Sequence, residues 1–341
     1  MKSFVPSPTD RLGRPLRDLR LSVTDRCNFR CVYCMPKELF GANHQFLPRT
    51  QLLSFEEIAR LAAIFAQLGV RKFRVTGGEP LVRKDIEVLI EELAGIDGVT
   101  DIALTSNGSL LTRDKARVLR EAGLGRINFS LDALDDATFK AINHVDFSVG
   151  HVLEAIDNAQ AAGLGPLKIN MVVIRGLNEH SVLPMARHFH GTGHVLRFIE
   201  YMDVGCSNGW QPDEVYSAAE IVETIAAAMP LEPVDPEVPG EVARRWRYTD
   251  GGGEIGVIPS VTQPFCRDCN RARISAEGML YTCLFAQGGR DLRRLVRSEA
   301  SDRDIRDYVA SIWSGRADRY SEQRSELAGR RSKVEMSYIG G

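Results

Sequence analysis

The chain has 341 residues and a mass of 37.8 kDa, which predicts one large domain or two smaller ones. Hydrophobic residues make up 44% and charged residues 26%. These are the proportions of a folded globular protein, so a largely disordered chain and a fibrous protein are excluded. The 43 Lys and Arg residues against 45 Asp and Glu give a net charge of −2, so no overall basic field indicates nucleic-acid binding.

Residues 16 to about 230 alternate short β-rich runs with helical patterns. Repeated β–α–β units imply parallel strands joined by crossover helices. Six such units fit an incomplete barrel better than a closed eight-stranded one, and a doubly wound sheet is the competing arrangement. The predicted strands are 18–23, 71–76, 100–105, 126–131, 167–174 and 194–201, and the predicted helices are 54–68, 83–95, 112–122, 150–163, 179–190 and 217–228.

The pattern changes after about residue 230. The stretch from Leu231 to Gly240 is rich in Pro, Glu and Asp and predicts a linker or loop. We therefore predict a barrel domain over 11–232 and a smaller α+β region over 233–341. In the second region the predicted strands are 242–249, 254–258, 271–276 and 279–282, and the predicted helices are 290–298 and 302–313.

Several predicted strands alternate apolar and polar residues, although strands buried on both faces should be nearly continuously apolar. Arg20 lies between Leu19 and Leu21, and Arg74 has an equivalent place in the second strand. The polar residues would then face a central cavity. A buried Arg needs an anionic partner, which a ligand in the cavity would supply. The alternative is that Arg20 and Arg74 are salt-bridged core residues or exposed edge residues.

Seven cysteines are present, and six of them form two groups. The odd number argues against a disulfide framework, and residues 1–15 contain no apolar signal segment. No apolar run approaches the roughly 20 residues that a membrane span needs. We therefore expect a reducing, cytoplasmic location, with the cysteines used for metal binding or catalysis. The first triad is Cys27, Cys31 and Cys34, and the second triad is Cys266, Cys269 and Cys283.

The first triad has C-x3-C-x2-C spacing and begins just after the first predicted strand. Three thiolates on a short loop can hold three irons of a [4Fe-4S] cluster and leave the fourth iron open. An open iron can chelate the amino and carboxylate groups of S-adenosylmethionine (SAM), and electron donation can then cleave the sulfonium. The alternative is a zinc ion with His44 as its fourth ligand.

The second triad has C-x2-C-x13-C spacing, and all seven histidines lie far upstream of it. A second cluster with an open iron fits three cysteines, whereas a structural zinc site needs four ligands and would have to recruit Cys206. Arg271 and Arg273 follow Cys269 and share one face of a predicted strand. They predict a clamp for a phosphate or another anionic substrate. The alternative is a solvated basic strand edge.

Further motifs accompany the triads: 16–20 (LRDLR), 76–80 (TGGEP), 105–108 (TSNG), 128–133 (NFSLDA), 198–205 (FIEYMDVG), 271–273 (RAR) and the final Gly340-Gly341. With the two triads they resemble the radical SAM superfamily and, more narrowly, the GTP 3′,8-cyclase family, over nearly the whole chain. The resemblance implies an incomplete (β/α)6 barrel whose open side is closed by the C-terminal region.

The resemblance also implies roles for individual residues. The first triad would hold the [4Fe-4S] cluster that cleaves SAM, and the second triad a [4Fe-4S] cluster whose open iron binds guanine. Gly340 and Gly341 would belong to a flexible tail that reaches the site, the alternative being a frayed end. The implied SAM-binding residues are Tyr33, Gly78, Ser130 and Met202, and the implied GTP-binding residues are Arg20, Arg74, Thr105, Lys168, Arg271, Ala272 and Arg273, of which Arg20, Arg271 and Arg273 would also be catalytic.

The implied reaction is the first step of molybdenum cofactor biosynthesis. A 5′-deoxyadenosyl radical removes hydrogen from C3′ of GTP, and the C3′ radical attacks C8 of guanine. Reduction and protonation then give (8S)-3′,8-cyclo-7,8-dihydroguanosine 5′-triphosphate. The implied partners are a reduced flavodoxin or ferredoxin-type electron donor, cyclic pyranopterin monophosphate synthase as recipient of the product, and a second copy in a homodimer, with no nucleic acid and no membrane. The competing functions are another radical SAM enzyme with an auxiliary cluster, and a zinc-binding module that is not an enzyme.

Overall fold

Six parallel strands in chain order form the centre of the molecule. The computed structural model describes residues 7–237, 240–324 and 333–340. A doubly wound sheet would reverse its strand order at a switch point, whereas here each strand pairs with the next one along the chain. The β/α barrel prediction is therefore confirmed. The strands are β1 (Asp18–Ser22), β2 (Lys72–Thr76), β3 (Asp101–Ser106), β4 (Arg126–Ser130), β5 (Lys168–Val173) and β6 (Val195–Glu200).

Helices connect these strands. A capping box at Ser54 begins α1, as its Ser-x-x-Glu sequence predicts. The fourth helix was not predicted; the side chain of Asp135 caps it by accepting from the N–H of Thr138 over 2.8 Å. No helix within the described ranges is long and apolar enough to cross a membrane. The helices are α1 (Phe55–Gln67), α2 (Ile86–Ala94), α3 (Arg113–Glu121), α4 (Asp136–Asn143), α5 (Val149–Ala161), α6 (Val182–Phe189) and α7 (Ala218–Ala226).

The C-terminal region adds strands to both edges of the six-stranded core. β9 pairs in parallel with β6, and β10 pairs in parallel with β1, so β1 and β6 do not pair with each other and the barrel stays open. The added elements are β7 (Leu231–Val234), β8 (Arg244–Tyr248), β9 (Glu254–Ile258), β10 (Arg271–Ile274), β11 (Met279–Tyr281), β12 (Arg290–Asp291), α8 (Arg293–Val296), α9 (Asp302–Ser314) and α10 (Met336–Ile339).

The prediction of a linker or loop over 231–240 is wrong for its first four residues, which form β7. Among the strands of the described ranges, β7 is the last in the sheet and pairs with β8 alone. Pro233 lacks a backbone donor, but an edge strand needs donors on one side only, so proline is tolerated there. Residues 238 and 239 lie outside the described part of the chain.

The alternation within the strands separates an apolar outer face from a polar inner face. Leu19 and Phe73 are fully buried in the main hydrophobic core. Arg20, which follows Leu19, is in register with Arg74 on β2 and with Arg273 on β10. Side chains in register on neighbouring strands share a face of the sheet, so the polar residues line the inner face, as their alternation predicts.

Candidate active site

The first triad lies on the loop that follows β1. Cys27, Cys31 and Cys34 are half-buried, and the backbone N–H of Phe29 donates to the Cys27 sulfur over 3.4 Å. Burial, together with the charge of Glu79, raises the pKa of Cys27 to about 12. A thiol of this kind ionises when a metal centre binds it. Three such thiols on one loop, with a backbone donor to a sulfur, fit the ligand set of an iron–sulfur cluster.

Two backbone N–H groups after β2 hold this loop in place. The N–H of Gly78 donates to the carbonyl of Thr24 over 2.7 Å, and that of Glu79 donates to the carbonyl of Arg26 over 2.8 Å. A Cβ at Gly78 would overlap the Arg26 carbonyl. The resemblance implies that Gly78 binds SAM, and the structure adds that its closest neighbour is the backbone that leads into the first triad.

Glu79 connects the loop after β2 to the loop after β3. The residue is 1% exposed, and its carboxylate accepts from the Ser106 hydroxyl over 2.8 Å and from the N–H groups of Asn107 and Leu81 over 2.8 and 3.0 Å. Burial raises the pKa of Glu79 to about 7, although these donors favour the charged form. Glu79 belongs to the 76–80 motif, yet its bracing role between two loops is visible only in the structure.

The four residues predicted to bind SAM lie at or beyond the carboxyl ends of their strands. Tyr33, on the loop after β1, donates to Asp132 over 2.8 Å. Gly78 follows β2, Ser130 ends β4 and Met202 follows β6. Because parallel barrel strands end at one rim, the fold brings these four positions to the rim that carries the first triad.

The second triad surrounds the β10–β11 hairpin. Cys266 lies in a 3-10 turn, Cys269 precedes β10 and Cys283 follows β11. Because β10 and β11 are antiparallel, the residues before β10 and after β11 are neighbours. Burial raises the pKa of Cys283 to about 12. Burial would also raise the pKa of Cys269, but the charges of Arg271 and Arg316 lower it to about 6, so Cys269 is prepared to act as a thiolate ligand.

The two triads lie at opposite ends of one strand pair. β1 and β10 run parallel, with Asp18 beside Arg271 at their amino ends. The first triad follows the carboxyl end of β1, whereas Cys269 precedes the amino end of β10. A strand of five residues spans about 15 Å, so a gap of about this length separates the triads along the inner face.

Three arginines lie side by side in this gap. Arg20 is in register with both Arg273 and Arg74, and we call these three residues the cation row. Burial lowers the pKa of Arg20 well below its usual value, and the charges of Arg273 and Arg74 lower it further. Burial and Arg271 lower the pKa of Arg273 to about 10. Buried cations with lowered pKa values need an anion.

Orphaned polar atoms on the inner face indicate where that anion would bind. Within the described residues, Nε of Arg20, Nε of Arg74 and Oγ1 of Thr105 are buried without a hydrogen-bond partner. Buried polar groups in native proteins are almost always satisfied. The triphosphate and ribose of GTP would supply acceptors and donors to these atoms, so the inner face fits this substrate.

Lys168 and two further arginines extend the positive face. Lys168 is in register with Asn128, which is in register with Thr105. Burial first, and then Arg197, lower the pKa of Lys168 to about 8. Arg197, on β6, and Arg126, on β4, were not predicted as site residues. Arg197 alternates with apolar neighbours as Arg20 does, so the same sequence signal would have identified it.

Ala272 is placed differently from the other residues predicted to bind GTP. It is in register with Leu19 and fully buried in the main core. Its methyl group therefore points away from the inner face, and only its backbone is available there.

The described part of the tail packs against the cation row. The carbonyl of Gly340 accepts from Nη1 of Arg273, and Ile339 is fully buried. Gly340 has a φ of +75°, and a Cβ there would overlap the methyl group of Thr76. The tail is therefore docked rather than frayed as far as Gly340. Gly341 lies outside the described residues.

The proposed extra zinc ligands have other contacts. His44 packs between the rings of Phe40 and Phe46, with centroids 4.6 and 4.7 Å away. The sulfur of Cys206 accepts from the N–H of Lys333 over 3.2 Å. Among the described residues, no three His, Cys, Asp or Glu side chains are grouped closely enough to hold one metal ion, and no triad cysteine forms a disulfide. In a [4Fe-4S] cluster each cysteine binds a different iron, so the three sulfurs of a triad need not converge on one ion.

The fold and the first triad define a radical SAM protein. The family model of the radical SAM superfamily matches residues 21–189, and the model described as Molybdenum Cofactor Synthesis C matches residues 194–322. The GTP 3′,8-cyclase of Acidothermus cellulolyticus is 53% identical and that of Staphylococcus aureus 48% identical, each over 97% of this chain and 98% of the relative. The chain therefore belongs to the GTP 3′,8-cyclase family, whose cofactors are two [4Fe-4S] clusters and SAM.

A solved structure shares the fold at low sequence identity. Streptococcus suis SuiB bound to S-adenosylmethionine is similar over 96% of this chain and 76% of that chain, with a TM-score of 0.61 and 14% identity. At this identity the likeness extends to the fold alone.

Proposed function

We propose that this protein catalyses the GTP 3′,8-cyclase reaction, the conversion of GTP to (8S)-3′,8-cyclo-7,8-dihydroguanosine 5′-triphosphate, in the first step of molybdenum cofactor biosynthesis. The observation that carries the proposal is the cation row between the two cysteine triads. An anionic substrate held there lies between a cluster that binds SAM and a cluster that binds the base. The near-full-length similarity to two GTP 3′,8-cyclases supports the same reaction.

The cofactors and the protein divide the work. The first cluster with bound SAM supplies the radical chemistry. The protein's residues bind, orient and shield the reactants. We assign the first triad and the second triad as the cluster ligands, and the SAM contacts to Tyr33, Gly78, Ser130 and Met202.

The inner face binds the substrate. Arg20, Arg74 and Arg273 bind the triphosphate, because guanidinium groups pair with phosphate oxygens in two-point contacts. Arg20, Arg271 and Arg273 act as catalytic residues by holding GTP in the reactive orientation. The further substrate contacts are Thr105, Lys168 and the backbone of Ala272, and Gly340 with Gly341 completes the site from the tail.

An anaerobic assay tests this function. The reconstituted chain is incubated with GTP, SAM and a chemical reductant, and the cyclised nucleotide is identified by mass spectrometry. We expect about eight irons per chain and a product that requires GTP. A chain that binds both clusters and cleaves SAM but yields no cyclised GTP would refute the proposal.

Matched variants test the substrate clamp. Arg271→Ala and Arg273→Ala should abolish cyclisation while the iron content stays that of the wild type. Arg303→Ala removes an arginine whose side chain is 80% exposed on α9 and should leave cyclisation unchanged. Wild-type turnover in the Arg271 and Arg273 variants would remove these residues from the site.

The wider setting is part of the same proposal. We propose a reduced flavodoxin or ferredoxin-type protein as electron donor, cyclic pyranopterin monophosphate synthase as recipient of the product, a homodimeric state and a cytoplasmic location. Two sites for air-sensitive clusters support a reducing compartment. We also propose 11–232 as the radical SAM core and 233–341 as the region that carries the second cluster. Light scattering tests the dimer, and turnover with each purified donor identifies the reductant.

A further inference from the structure

A buried group of charged residues packs against the second triad. Asp10 is 6%, Arg14 is 3% and Arg316 is 5% exposed. The Asp10 carboxylate accepts from Nε of Arg14 over 2.6 Å and from Nη1 of Arg316 over 3.2 Å. We call these three residues the buried charge cluster. They come from the N-terminal segment and from the residues after α9, and nothing in the proposed function uses them.

Both arginines of the buried charge cluster donate to cysteines of the second triad. Arg316 donates through Nη2 to the Cys269 sulfur over 3.3 Å and through Nη1 to the Cys269 carbonyl over 2.7 Å. Arg14 donates to the Cys266 carbonyl over 2.5 Å. Guanidinium groups therefore fix two of the three cysteines, and one of them contacts a ligand sulfur directly.

The position of Arg316 is fixed by packing. Its guanidinium lies over the ring of Trp313, 4.5 Å from the ring centroid. Trp313 is 1% exposed, and its indole N–H donates to the Arg14 carbonyl over 3.0 Å. A side chain held in this way presents its N–H groups to the sulfur in one geometry.

The charge balance of the group leaves a positive charge directed at the sulfur. Two buried guanidinium groups face the single carboxylate of Asp10. Asp318 also accepts from Arg316, over 3.3 Å, but its side chain is 36% exposed and screened by solvent. A buried arginine needs an anionic partner, and the thiolate of Cys269 supplies it.

We propose that Arg316 is a positioning residue that sets the reduction potential of the cluster bound by the second triad. This inference rests on the proposed function, which places a [4Fe-4S] cluster there. The reduced cluster carries one more negative charge than the oxidised one, so an N–H···S hydrogen bond and a nearby cation stabilise the reduced form more. Arg316 therefore raises the potential. Asp10 places an anion on the same guanidinium and lowers the potential.

An electrochemical titration tests this inference on the full chain. Replacing all three cysteines of the first triad by Ala leaves the second cluster as the only paramagnetic centre, and its midpoint is read by electron paramagnetic resonance at set potentials. In this background Arg316→Gln should shift the midpoint to a more negative value. Arg316→Lys keeps the charge but loses the paired geometry of the guanidinium, so its midpoint should lie between that of Arg316→Gln and that of the protein with Arg316 intact. Asp10→Asn should shift the midpoint in the positive direction.

The midpoint shifts expected for Arg316→Gln and Asp10→Asn have opposite signs. If the two residues only supported the fold, their variants would lower the cluster content and would not shift the midpoint in opposite directions. Arg303→Gln, exposed on the neighbouring helix, is the control and should leave the midpoint unchanged. Unchanged midpoints in both Arg316→Gln and Asp10→Asn, at full second-cluster iron content, would overturn the inference. If Arg316→Gln loses the second cluster, the same criterion is applied to Arg316→Lys and Asp10→Asn.

Different experimental outcomes would refute the proposed function and the role of Arg316. A parent protein without iron at the second triad would overturn both. A wild-type protein that cyclises GTP, with variants whose potentials do not move, would overturn only the role of Arg316.

Discussion

Asp203 is expected to hold the C-terminal tail in the site. The residue is 7% exposed, and its carboxylate accepts from the Tyr320 hydroxyl over 2.6 Å, from Nε of Arg324 over 2.7 Å and from Nζ of Lys333 over 2.6 Å. All three donors lie in the last part of the chain, and Lys333 begins the described tail that ends at Gly340. Asp203→Asn removes the charge with almost no change in shape.

The size of the effect follows from burial. Arg324 is 8% exposed, and the side chain of Lys333 is 10% exposed, so both would keep buried charges without their anion. Breaking a buried ion pair by removing one partner costs about 3–5 kcal/mol. This corresponds to a loss of roughly two to four powers of ten in the docking equilibrium of the tail. Gly340 would then leave Arg273 in a larger fraction of the molecules, and cyclisation would fall by at most a similar factor.

Hydrogen–deuterium exchange measures this docking directly. In Asp203→Asn, amides in 333–340 should exchange much faster than in the wild type, while those of β1 to β6 should be unchanged. Asp302→Asn is the matched control, because its side chain is 57% exposed in its ion pair with Arg60 and such pairs contribute about 0–1 kcal/mol. If amides in 333–340 of Asp203→Asn exchange at the wild-type rate, the tail is held in place by residues other than Asp203.

Three further predictions concern the rim and the inner face. Gly78→Ala should abolish binding of the first cluster and keep the second, since the new Cβ meets the Arg26 carbonyl; iron analysis showing two intact clusters would contradict this. Burial and Arg197 lower the pKa of Lys168 to about 8, so the KM for GTP should rise above that pH as the cation is lost, and Lys168→Arg should remove the rise. Burial raises the pKa of Glu79 to about 7, above the unfolded value of 4.5, so the folded state favours the protonated carboxyl group. The contribution of Glu79 to the free energy of unfolding is therefore fully present below pH 4.5 and is lost as the pH rises towards 7. Denaturant unfolding of the apoprotein should therefore show that Glu79→Gln becomes more stable relative to the wild type across this range.

Most of the fold was predictable because the signals were local. The six β/α units, the parallel direction of their strands and the polar inner face follow from periodicity along short segments, whereas the strand order, which excludes a doubly wound sheet, came from the structure. The segment around Pro233 was predicted as a linker because proline is unfavourable in interior strands. Proline is tolerated in an edge strand, but which strand lies at the edge is a property of the whole sheet. The helix that begins after Asp135 was missed although its cap is a local signal.

The candidate site divides in the same way. Spacing along the chain identified the two triads and the arginines beside the second triad. The pairing of Arg316 with Asp10 joins residues 306 positions apart, and the pairing of Lys333 with Asp203 joins residues 130 positions apart. No spacing rule reaches across such distances.

The seven cysteines and the near-neutral net charge of the sequence predicted two cysteine triads suited to cluster binding, in a chain without an overall basic field. They also determined which strands alternate, and so which arginines face inwards. Only the tertiary structure decided that the β1–β10 pairing sets the triads at opposite ends of the cation row, and that the tail closes on Arg273. The physical reason is that ligand spacing and alternation are written in neighbouring residues, whereas charge compensation inside a barrel depends on which distant segments the folded chain brings together.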